Sequence, residues 1–421
     1  MTRVPALLLM AWLAAAACTA TTAGVDQTEP TAMPPVHEGP SVAGPAEPTR
    51  IAIRPVHAPW TRAIDDAIRG LPVSVAVGNG RTVSYVHRGR TDRILASNAK
   101  LLTTMAALDL LGEHHRFVTG AVAQEPAADG VVEGDLWLVG AGDPELGPER
   151  LGALAAKLRA RGLKSVEGRV LGDTSAFTRE WWAPGWLRGI SRDYVTRSTA
   201  LAFTGNTVSS PELAAASALR EALLRAGVRV EGAAGTGRVP SGLTSLAAVP
   251  SSPLADLVAR QNHGSLNFYA EMLAKAIGEL GPAEGGSTAA GATVIEGWAD
   301  ARGVDVAMRD GSGLSHDDRA AAAEVVALLL LAEREPWFEA FESSLPPGGS
   351  GTLEGRLQDV PVRAKTGTLF VEVVSTLSGY VRTAGGARLA FSILSQDVPK
   401  PQASALEDRI VRIVAGLGGG R

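Results

Sequence analysis

The stretch from Ser97 to Leu111 reads SNAKLLTTMAALDLL, and the fold is best inferred from it. After Lys100 it carries a single charge, and Gly112 follows as a residue suited to ending a helix. A helix that is apolar on nearly every side must be buried inside a domain. The sequence therefore predicts a core helix over Lys100–Leu111, with a serine and a lysine at its start.

Ser97 and Lys100 are three residues apart, so their side chains share one face of the first helical turn. A serine hydroxyl is a weak nucleophile until a neighbouring base removes its proton. Lysine can be that base only when neutral, and burial or a second nearby cation lowers its pKa. The pair predicts a nucleophile and its base. The alternative, a helix-capping serine beside a surface lysine, is disfavoured by the apolar surroundings.

Two further motifs follow in order, Ser265-x-Asn267 and Lys365-Thr366-Gly367. Each of the three patterns occurs once in the chain, and together they are a strong signal where each alone is weak. Ser265 is suited to relaying a proton to a leaving amine, and Asn267 to holding the lysine and a substrate amide. Lys365 would be the second cation and would attract a substrate carboxylate.

The segment Lys365-Thr366-Gly367-Thr368 has the residues expected of a substrate-binding strand. Gly367 would let a peptide lie against the backbone as an added strand. The backbone N–H groups of Thr368 and Ser97 would form an oxyanion hole. The hydroxyls of Thr366 and Thr368 are candidate ligands for a terminal carboxylate. Taken alone, these residues could equally form an ordinary strand edge.

The remaining pattern predicts an α/β fold in which an antiparallel sheet carries helices on both faces. Val73–Val77 and Thr82–His87 form one predicted hairpin, and Ser375–Arg382 and Ala387–Leu394 form another. Ala403–Ala415 is predicted as a closing amphipathic helix. Residues 114–252 alternate between strand-like and helix-like pieces and are typical of a smaller inserted α/β unit.

The N-terminus indicates export from the cytoplasm. Residues 1–18 contain one arginine, a short apolar run and small residues up to Cys18, as in a secretory signal segment. Cys18 also occupies a position suited to lipidation, and both lipidation and ordinary cleavage nearby stay open. Residues 19–50 predict a flexible linker. The expected location is the periplasm or the extracytoplasmic cell envelope, with peripheral membrane association only if Cys18 is lipidated.

Composition excludes several other classes. Of the 421 residues, 45% are apolar and 20% charged, as expected of a packed globular chain. The formal net charge of −4 gives no reason to expect a nucleic-acid partner. The single cysteine forbids an internal disulfide, and neither His-Glu-x-x-His nor Gly-x-Ser-x-Gly occurs. We expect no metal and no cofactor.

At these motifs the sequence resembles the class C low-molecular-mass penicillin-binding proteins, the D-alanyl-D-alanine carboxypeptidase/endopeptidase family. The likeness runs from about residue 55 to the C-terminus. Besides the three motifs, it rests on five segments: Gly134–Pro144, Gly168–Asp173, Asn267–Leu273, Asp310–Ser315 and Arg363–Thr368.

The resemblance implies a transpeptidase-like catalytic domain, formed by residues 51–113 and 253–421, and an inserted domain of residues 114–252. It implies a serine D,D-peptidase that removes terminal D-Ala or cleaves cross-links in peptidoglycan peptides. It also implies covalent inhibition by β-lactams at Ser97. Leu266 departs from the family, where an acidic or polar residue is usual, and the insertion is short after Val208.

Two other functions remain as alternatives. A serine β-lactamase or esterase of the same fold would need a base for rapid deacylation, and neither Glu-x-x-x-Asn nor Tyr-x-Asn elements are evident. A non-catalytic cell-wall-binding protein would not need the intact motifs. Trp181, Trp182 and Trp186 could stack on a sugar, although packing of the insertion is the favoured interpretation.

Overall fold

The computed structural model describes residues 51–187, 191–282, 285–371 and 373–418. The predicted signal segment (1–18), Cys18 and the predicted linker (19–50) lie outside the described residues, so they stay predictions.

The first stretch confirms the predicted hairpin and core helix. Gly80 adopts φ +58 in the tight turn between the hairpin strands, and Gly112 follows the helix with φ +87. Both are left-handed conformations that a side chain would strain. The elements are β1 (Ala52–Ile53), α1 (Pro59–Ile68), β2 (Val73–Asn79), β3 (Thr82–His87), β4 (Asp92–Ile94) and α2 (Ala99–Leu111).

The middle stretch forms two sheets and has its own apolar core. Its elements are β5 (Val118–Ala123), β6 (Val131–Val132), β7 (Leu136–Val139), α3 (Pro148–Ala160), β8 (Ser165–Val166), β9 (Val170–Asp173), α4 (Ser191–Tyr194), α5 (Pro211–Arg225), β10 (Arg229–Val230), β11 (Gly235–Thr236) and β12 (Thr244–Pro250). One sheet has the order β11-β9-β7-β5-β12, and the other β10-β8-β6. Helices α3 and α5 pack together in this core.

The last stretch returns to the first sheet. Its elements are α6 (Leu254–Gly264), α7 (Asn267–Gly278), α8 (Thr288–Asp300), β13 (Val306–Ala307), β14 (Arg319–Ala321), α9 (Ala322–Ala332), α10 (Phe338–Ser344), β15 (Val362–Leu369), β16 (Val374–Arg382), β17 (Arg388–Ser395) and α11 (Lys400–Ala415). Strand β15, which carries the predicted substrate-binding segment Lys365–Thr368, begins at Val362, because Pro361 has no N–H to donate to a ladder.

The central sheet has the order β1-β3-β2-β17-β16-β15. All its pairs are antiparallel except β1 with β3, which is parallel and departs from the purely antiparallel expectation. Strand β15 lies at one edge. Among the described residues, its outer side has no neighbouring strand beyond a single bridge between Pro347 and Arg363.

Helices cover both faces of this sheet, as predicted. On one face, α2 and α9 share a core with Ala76 and Leu394. On the other face, α1 and α11 pack on Val75, Leu377 and Phe391. Because both faces are covered, β16 is buried along nearly its whole length, and its apolar residues need not alternate with polar ones.

The predicted α/β fold class, a sheet flanked by helices on both faces, is therefore confirmed. The division into a catalytic domain (51–113 and 253–421) and an inserted domain (114–252) stays a prediction. Within the described ranges, no helix combines the length and the apolar character needed to cross a membrane.

Candidate active site

Ser97 lies in a single 3-10 turn, Ala96–Asn98, directly before α2. Ala96 adopts φ +45, a left-handed conformation that costs free energy and must be held by its surroundings. Leu95 donates its N–H to Asp318 O (2.9 Å), and the backbone of Gly313 packs so tightly on Ala96 O that a Cβ there would lie 1.8 Å away. These contacts hold the half-buried Ser97 at the cavity wall.

Lys100 lies one turn below Ser97 with no solvent exposure. Its Nζ is 3.0 Å from Ser97 Oγ, 2.6 Å from Asn267 Oδ1 and 2.5 Å from the carbonyl oxygen of Ser312. Burial lowers the pKa of Lys100 to about 8, although nearby carboxylates oppose the shift. A lysine with this pKa is neutral in about a tenth of the molecules at pH 7, far more than an ordinary surface lysine would be.

Ser265 and Asn267 lie at the junction between helices α6 and α7, and both side chains face the cavity beside Ser97 and Lys100. Ser265 is the C-terminal residue flanking α6, with φ +53, and Asn267 is the first residue of α7. The left-handed residue turns the chain sharply, so both side chains line the cavity. Leu266 between them is 38% exposed and is not among the described residues that line the cavity. The departure at Leu266 therefore faces away from the cleft.

Lys365 contacts the second motif from β15. Its Nζ is 2.8 Å from Ser265 Oγ and 2.7 Å from the carbonyl oxygen of Thr366, and the side chain is fully buried. Burial, and then the charge of Lys100, lower the pKa of Lys365 well below its usual value. The nearby carboxylates favour the charged form of Lys100 rather than of Lys365.

Gly367 permits β15 to lie against the turn that carries Ser97. A Cβ at Gly367 would be 2.2 Å from Thr376 Oγ1 and 2.9 Å from the backbone nitrogen of Ser97. Both distances are shorter than van der Waals contact, so any larger residue would push the strand away from the nucleophile. The glycine that the sequence assigned to substrate approach is thus also required by the neighbouring backbone.

The outer edge of β15 faces the cavity beyond Ala364. Ala364 donates its N–H outward to Pro346 O (3.1 Å). Backbone groups two residues apart in a strand point to the same side. The N–H groups of Thr366 and Thr368 therefore also point to this open edge, where both residues line the cavity.

The cavity has a volume of about 510 Å³. The predicted residues that line it are Ser97, Ser265, Asn267, Thr366, Gly367 and Thr368. Lys100 and Lys365 lie beneath its wall. All eight predicted catalytic and substrate-binding residues are thus brought together.

Sequence reasoning missed a group of buried acids behind Lys100. Asp310 accepts the N–H groups of Ser312 (2.8 Å) and Gly313 (2.6 Å), which orders the loop that presents the Ser312 carbonyl oxygen to Lys100. Glu271 accepts the N–H of Gly311 in the same loop (3.1 Å). Burial raises the pKa of Glu271 to about 8. The only sequence signal was the presence of both acids in the family-like segments.

The middle stretch of the chain contributes one wall of the site. Asn267 Nδ2 donates to the carbonyl oxygen of Tyr194 (3.0 Å), and Tyr194 lines the cavity. Trp186 donates its indole N–H to Asp310 (2.5 Å), and the Trp181 ring lies 5.0 Å from Lys275 Nζ. These contacts support the packing interpretation of the tryptophans.

The sequence matches the D-Ala-D-Ala carboxypeptidase 3 (S13) family over residues 62–210 and 190–417. The chain belongs to this family. The predicted recognition is confirmed, and so are the predictions of a serine-type hydrolase and of D,D-peptidase activity on peptidoglycan.

Two curated relatives match this chain in sequence along most of their length. A D-alanyl-D-alanine carboxypeptidase of Actinomadura sp. (strain R39) is 31% identical, covering 85% of this chain and 83% of the relative. Carboxypeptidase DacB of Mycolicibacterium smegmatis is 30% identical, covering 77% of this chain and 76% of the relative.

Solved structures with the same fold include penicillin binding protein 4 (dacB) from Haemophilus influenzae. It has a TM-score of 0.73 and 20% identity, covering 84% of this chain and 99% of that one. A second structure of that protein, complexed with a β-lactam, has a TM-score of 0.68 and 20% identity, covering 83% of this chain and 99% of that one.

Proposed function

We propose that this S13-family D,D-peptidase works through an acyl-enzyme on Ser97, with Lys100 as the base. The observation that carries the proposal is the 3.0 Å distance between Lys100 Nζ and Ser97 Oγ, made by a lysine whose pKa burial lowers to about 8. A buried amine with this pKa can accept the hydroxyl proton where an ordinary surface lysine could not.

In the first step, Ser97 Oγ attacks the carbonyl carbon of the penultimate D-Ala while its proton passes to Lys100. The N–H groups of Ser97 and Thr368 would stabilise the oxyanion. The C–N bond then breaks, and the leaving amine receives a proton through Ser265. Water next attacks the ester, the bond to Ser97 Oγ breaks, and Ser97 recovers its proton.

Lys365 would become protonated when the substrate binds. Of the two amines, Lys100 is the one that the nearby protein carboxylates favour as the cation. A substrate carboxylate at Thr366 and Thr368 would favour a charged Lys365, and two adjacent buried cations disfavour each other. Substrate binding would therefore shift the positive charge to Lys365 and leave Lys100 neutral for its role as base.

We propose β-lactams as covalent inhibitors. Like the substrate, they present an acylating carbonyl to Ser97 and a carboxylate to Thr366 and Thr368. The β-lactam complex of the Haemophilus influenzae protein, which has the same fold, supports this. Removal of terminal D-Ala and cleavage of D,D cross-links use the same bond chemistry, and we propose both as reactions of this site.

A peptidoglycan substrate requires the enzyme to work outside the cytoplasm. We propose that residues 1–18 direct export to the periplasm or cell envelope, with Cys18 either lipidated or removed with the signal segment. Metabolic labelling with a clickable fatty acid, with Cys18→Ala as the control, would distinguish the two fates. Labelling of the parent chain that Cys18→Ala abolishes would support lipidation.

Labelling with fluorescent penicillin tests the proposed nucleophile. We expect covalent label on the parent protein and none on Ser97→Ala, with Ser343→Ala, an exposed serine outside the cavity, as a control that keeps the label. Digests of purified cross-linked and uncross-linked muropeptides, weighed by mass spectrometry, should show loss of D-Ala or cleaved cross-links.

The outcomes separate the alternatives. A parent protein that takes no label would contradict the acyl-enzyme and favour a wall-binding protein. Label lost within seconds, with penicillin hydrolysed catalytically, would instead favour a β-lactamase.

A further inference from the structure

The cavity continues past the catalytic motifs, toward the first turn of α11. Its far wall includes Thr352, Arg356, Lys400 and Ser404, none of which the proposed reaction uses. Two of these four residues are cations. This end of the cavity, formed by these four residues, is called the distal subsite below.

Lys400 has hydrogen-bonding capacity left for a ligand. Its side chain is half-buried, and its Nζ donates to Ser375 Oγ (2.8 Å). An ammonium group has three donors. In the part of the chain that the structure describes, Ser375 is the one hydrogen-bond acceptor for Lys400 Nζ. Since Lys400 also lines the cavity, its remaining donors have access to a bound molecule.

The carboxylates near Lys400 lie behind it and are already paired. Ser375 donates its hydroxyl to the fully buried Glu407 (2.6 Å). Arg356 Nη2 donates to Glu407 (2.8 Å) and to Asp408 (2.7 Å). Neither acid is among the described residues that line the cavity, whereas both cations are. The distal subsite therefore presents positive charge to its contents.

The position of Lys400 relative to the catalytic strand follows from the sheet register. Thr368 on β15 pairs directly with Ser375 on β16. Side chains directly opposite each other in an antiparallel pair lie on the same face, with Cβ atoms about 5 Å apart. The Lys400 ammonium, hydrogen-bonded to Ser375, thus lies one side chain away from Thr368.

We propose that Lys400, together with Thr368, binds the free carboxylate on the leaving-group side of the scissile bond. The proposal rests on the proposed function and adds a specificity-determining residue to it. In both reactions, the carbon attached to the scissile nitrogen carries a carboxylate, so one cation serves both. A charged hydrogen bond to Lys400 would select free D-terminal acids over neutral ends.

The surroundings of Lys400 agree with this role. Burial lowers the pKa of Lys400, because few solvent molecules stabilise its charge. A carboxylate bound beside it would supply the missing stabilisation. This stabilisation of the Lys400 charge is provided by an anionic ligand and not by a neutral one.

Binding to a Ser97→Ala background tests this without requiring turnover. The probes are a diacylated L-Lys-D-Ala-D-Ala peptide and its C-terminal carboxamide, each titrated by NMR. We expect Lys400→Met to weaken binding of the acid about tenfold or more, the loss typical of a charged hydrogen bond. Binding of the carboxamide should change less than about twofold. Lys400→Arg, which keeps the charge, should recover part of the loss for the acid.

Lys157→Met is the matched control, because Lys157 is an exposed lysine that donates to the Ala248 carbonyl oxygen on the inserted stretch. It should leave the affinity for both probes unchanged. Equal weakening of acid and amide by Lys400→Met would overturn the proposal, since it would mean that Lys400 only supports the strand through Ser375. No change for the acid, or no binding of it at all, would also overturn the proposal.

Kinetics on the active enzyme separate this inference from the proposed function. With Ser97 present, Lys400→Met should raise KM for the acid about tenfold with little change in kcat. Penicillin labelling of Ser97 reports on the acyl-enzyme itself. If the active protein takes no penicillin label while the Ser97→Ala protein still prefers the acid over the amide through Lys400, the proposed function is wrong. The carboxylate subsite at Lys400 would still be supported.

Discussion

Lys100 Nζ and Asn267 Oδ1 lie 2.6 Å apart, although 167 residues separate them in the chain. The amide oxygen accepts a hydrogen bond from the lysine without adding a negative charge. A carboxylate in the same place would favour the charged lysine. The choice of asparagine thus keeps the pKa of Lys100 low enough for a base.

Asn267→Asp should therefore shift the pH dependence of acylation. Lys100 must be neutral to act, so the rate of penicillin labelling should rise with pH through about 8 in the parent protein. In the variant, the midpoint should move to higher pH by about one unit or more. The measurement is the second-order rate constant of labelling from pH 6 to 10.

Asn79→Asp adds the same charge at an exposed residue of the first hairpin and should leave that midpoint unchanged. An unshifted midpoint in Asn267→Asp would mean that the titrating group is not Lys100.

Gly367→Ala should impair acylation by displacing β15 from Ser97. Its Cβ would lie 2.2 Å from Thr376 Oγ1, so the strand or the nucleophile turn must move. Misplacing reacting groups by about 1 Å costs about a hundredfold in rate. The readout is the penicillin-labelling rate, with circular dichroism as the check on folding.

Gly297→Ala provides the matched substitution, because a Cβ at that exposed helical position meets no atom within 4 Å. It should leave labelling unchanged and stabilise the protein by about 0.5–1 kcal/mol. Equal labelling rates in both variants would count against close packing of β15 on Ser97.

Lys275→Met should loosen the cavity wall that the middle stretch of the chain contributes. Lys275 is buried, and its Nζ donates to the carbonyl oxygens of Thr178 (3.1 Å), Glu180 (2.8 Å) and Ser198 (3.2 Å). Leaving these oxygens unpaired should cost about 3 kcal/mol in free energy of unfolding. KM should also rise, because the same part of the chain includes Tyr194, which lines the cavity and accepts a hydrogen bond from Asn267.

The stability lost in Lys275→Met should depend on pH, and the direction of this dependence follows from the pKa of Lys275. Burial lowers the pKa of Lys275 from 10.5 to about 8. The unfolded chain then binds more protons between these two values, so Lys275 makes the parent protein gain stability as pH rises through that window. The methionine variant lacks this gain, and the stability difference should widen above pH 8.

Urea unfolding at pH 7 and pH 9.5 measures the difference in free energy of unfolding between the parent and Lys275→Met. Lys164→Met, at an exposed lysine, is the control. A difference that narrows between the two pH values would contradict the assignment.

Glu279→Gln should stabilise the protein at alkaline pH. Glu279 is 9% exposed at the end of α7, and burial raises its pKa from 4.5 to about 8. A raised folded-state pKa gives stability that is present below pH 4.5 and lost as pH rises through about 8. The amide removes that loss, so its melting temperature should exceed that of the parent at pH 9.

At pH 5 the two melting temperatures should nearly agree. The exposed Glu167→Gln should match the parent at both pH values. A Glu279→Gln variant that melts lower than the parent at pH 9 would show that the carboxylate makes a favourable contact there.

Local patterns were enough to predict much of the fold. The core helix after Ser97, the two hairpins and the closing helix are confirmed with ends that move by a few residues. Each depends on interactions close in sequence, such as a glycine in a tight turn or apolar residues at helical spacing. The proximity of Ser97 and Lys100 is of the same kind, because three residues along a helix bring side chains together.

The sequence by itself determined which residue types carry the chemistry and in what order they occur. Only the tertiary structure decided how they are tuned and what surrounds them. The Asp310 loop that orients Lys100, the contact of Lys365 with Ser265 and the place of Lys400 beside Thr368 all join segments distant in sequence. Burial sets the lysine pKa values, and burial is a property of the assembled chain that no local pattern contains.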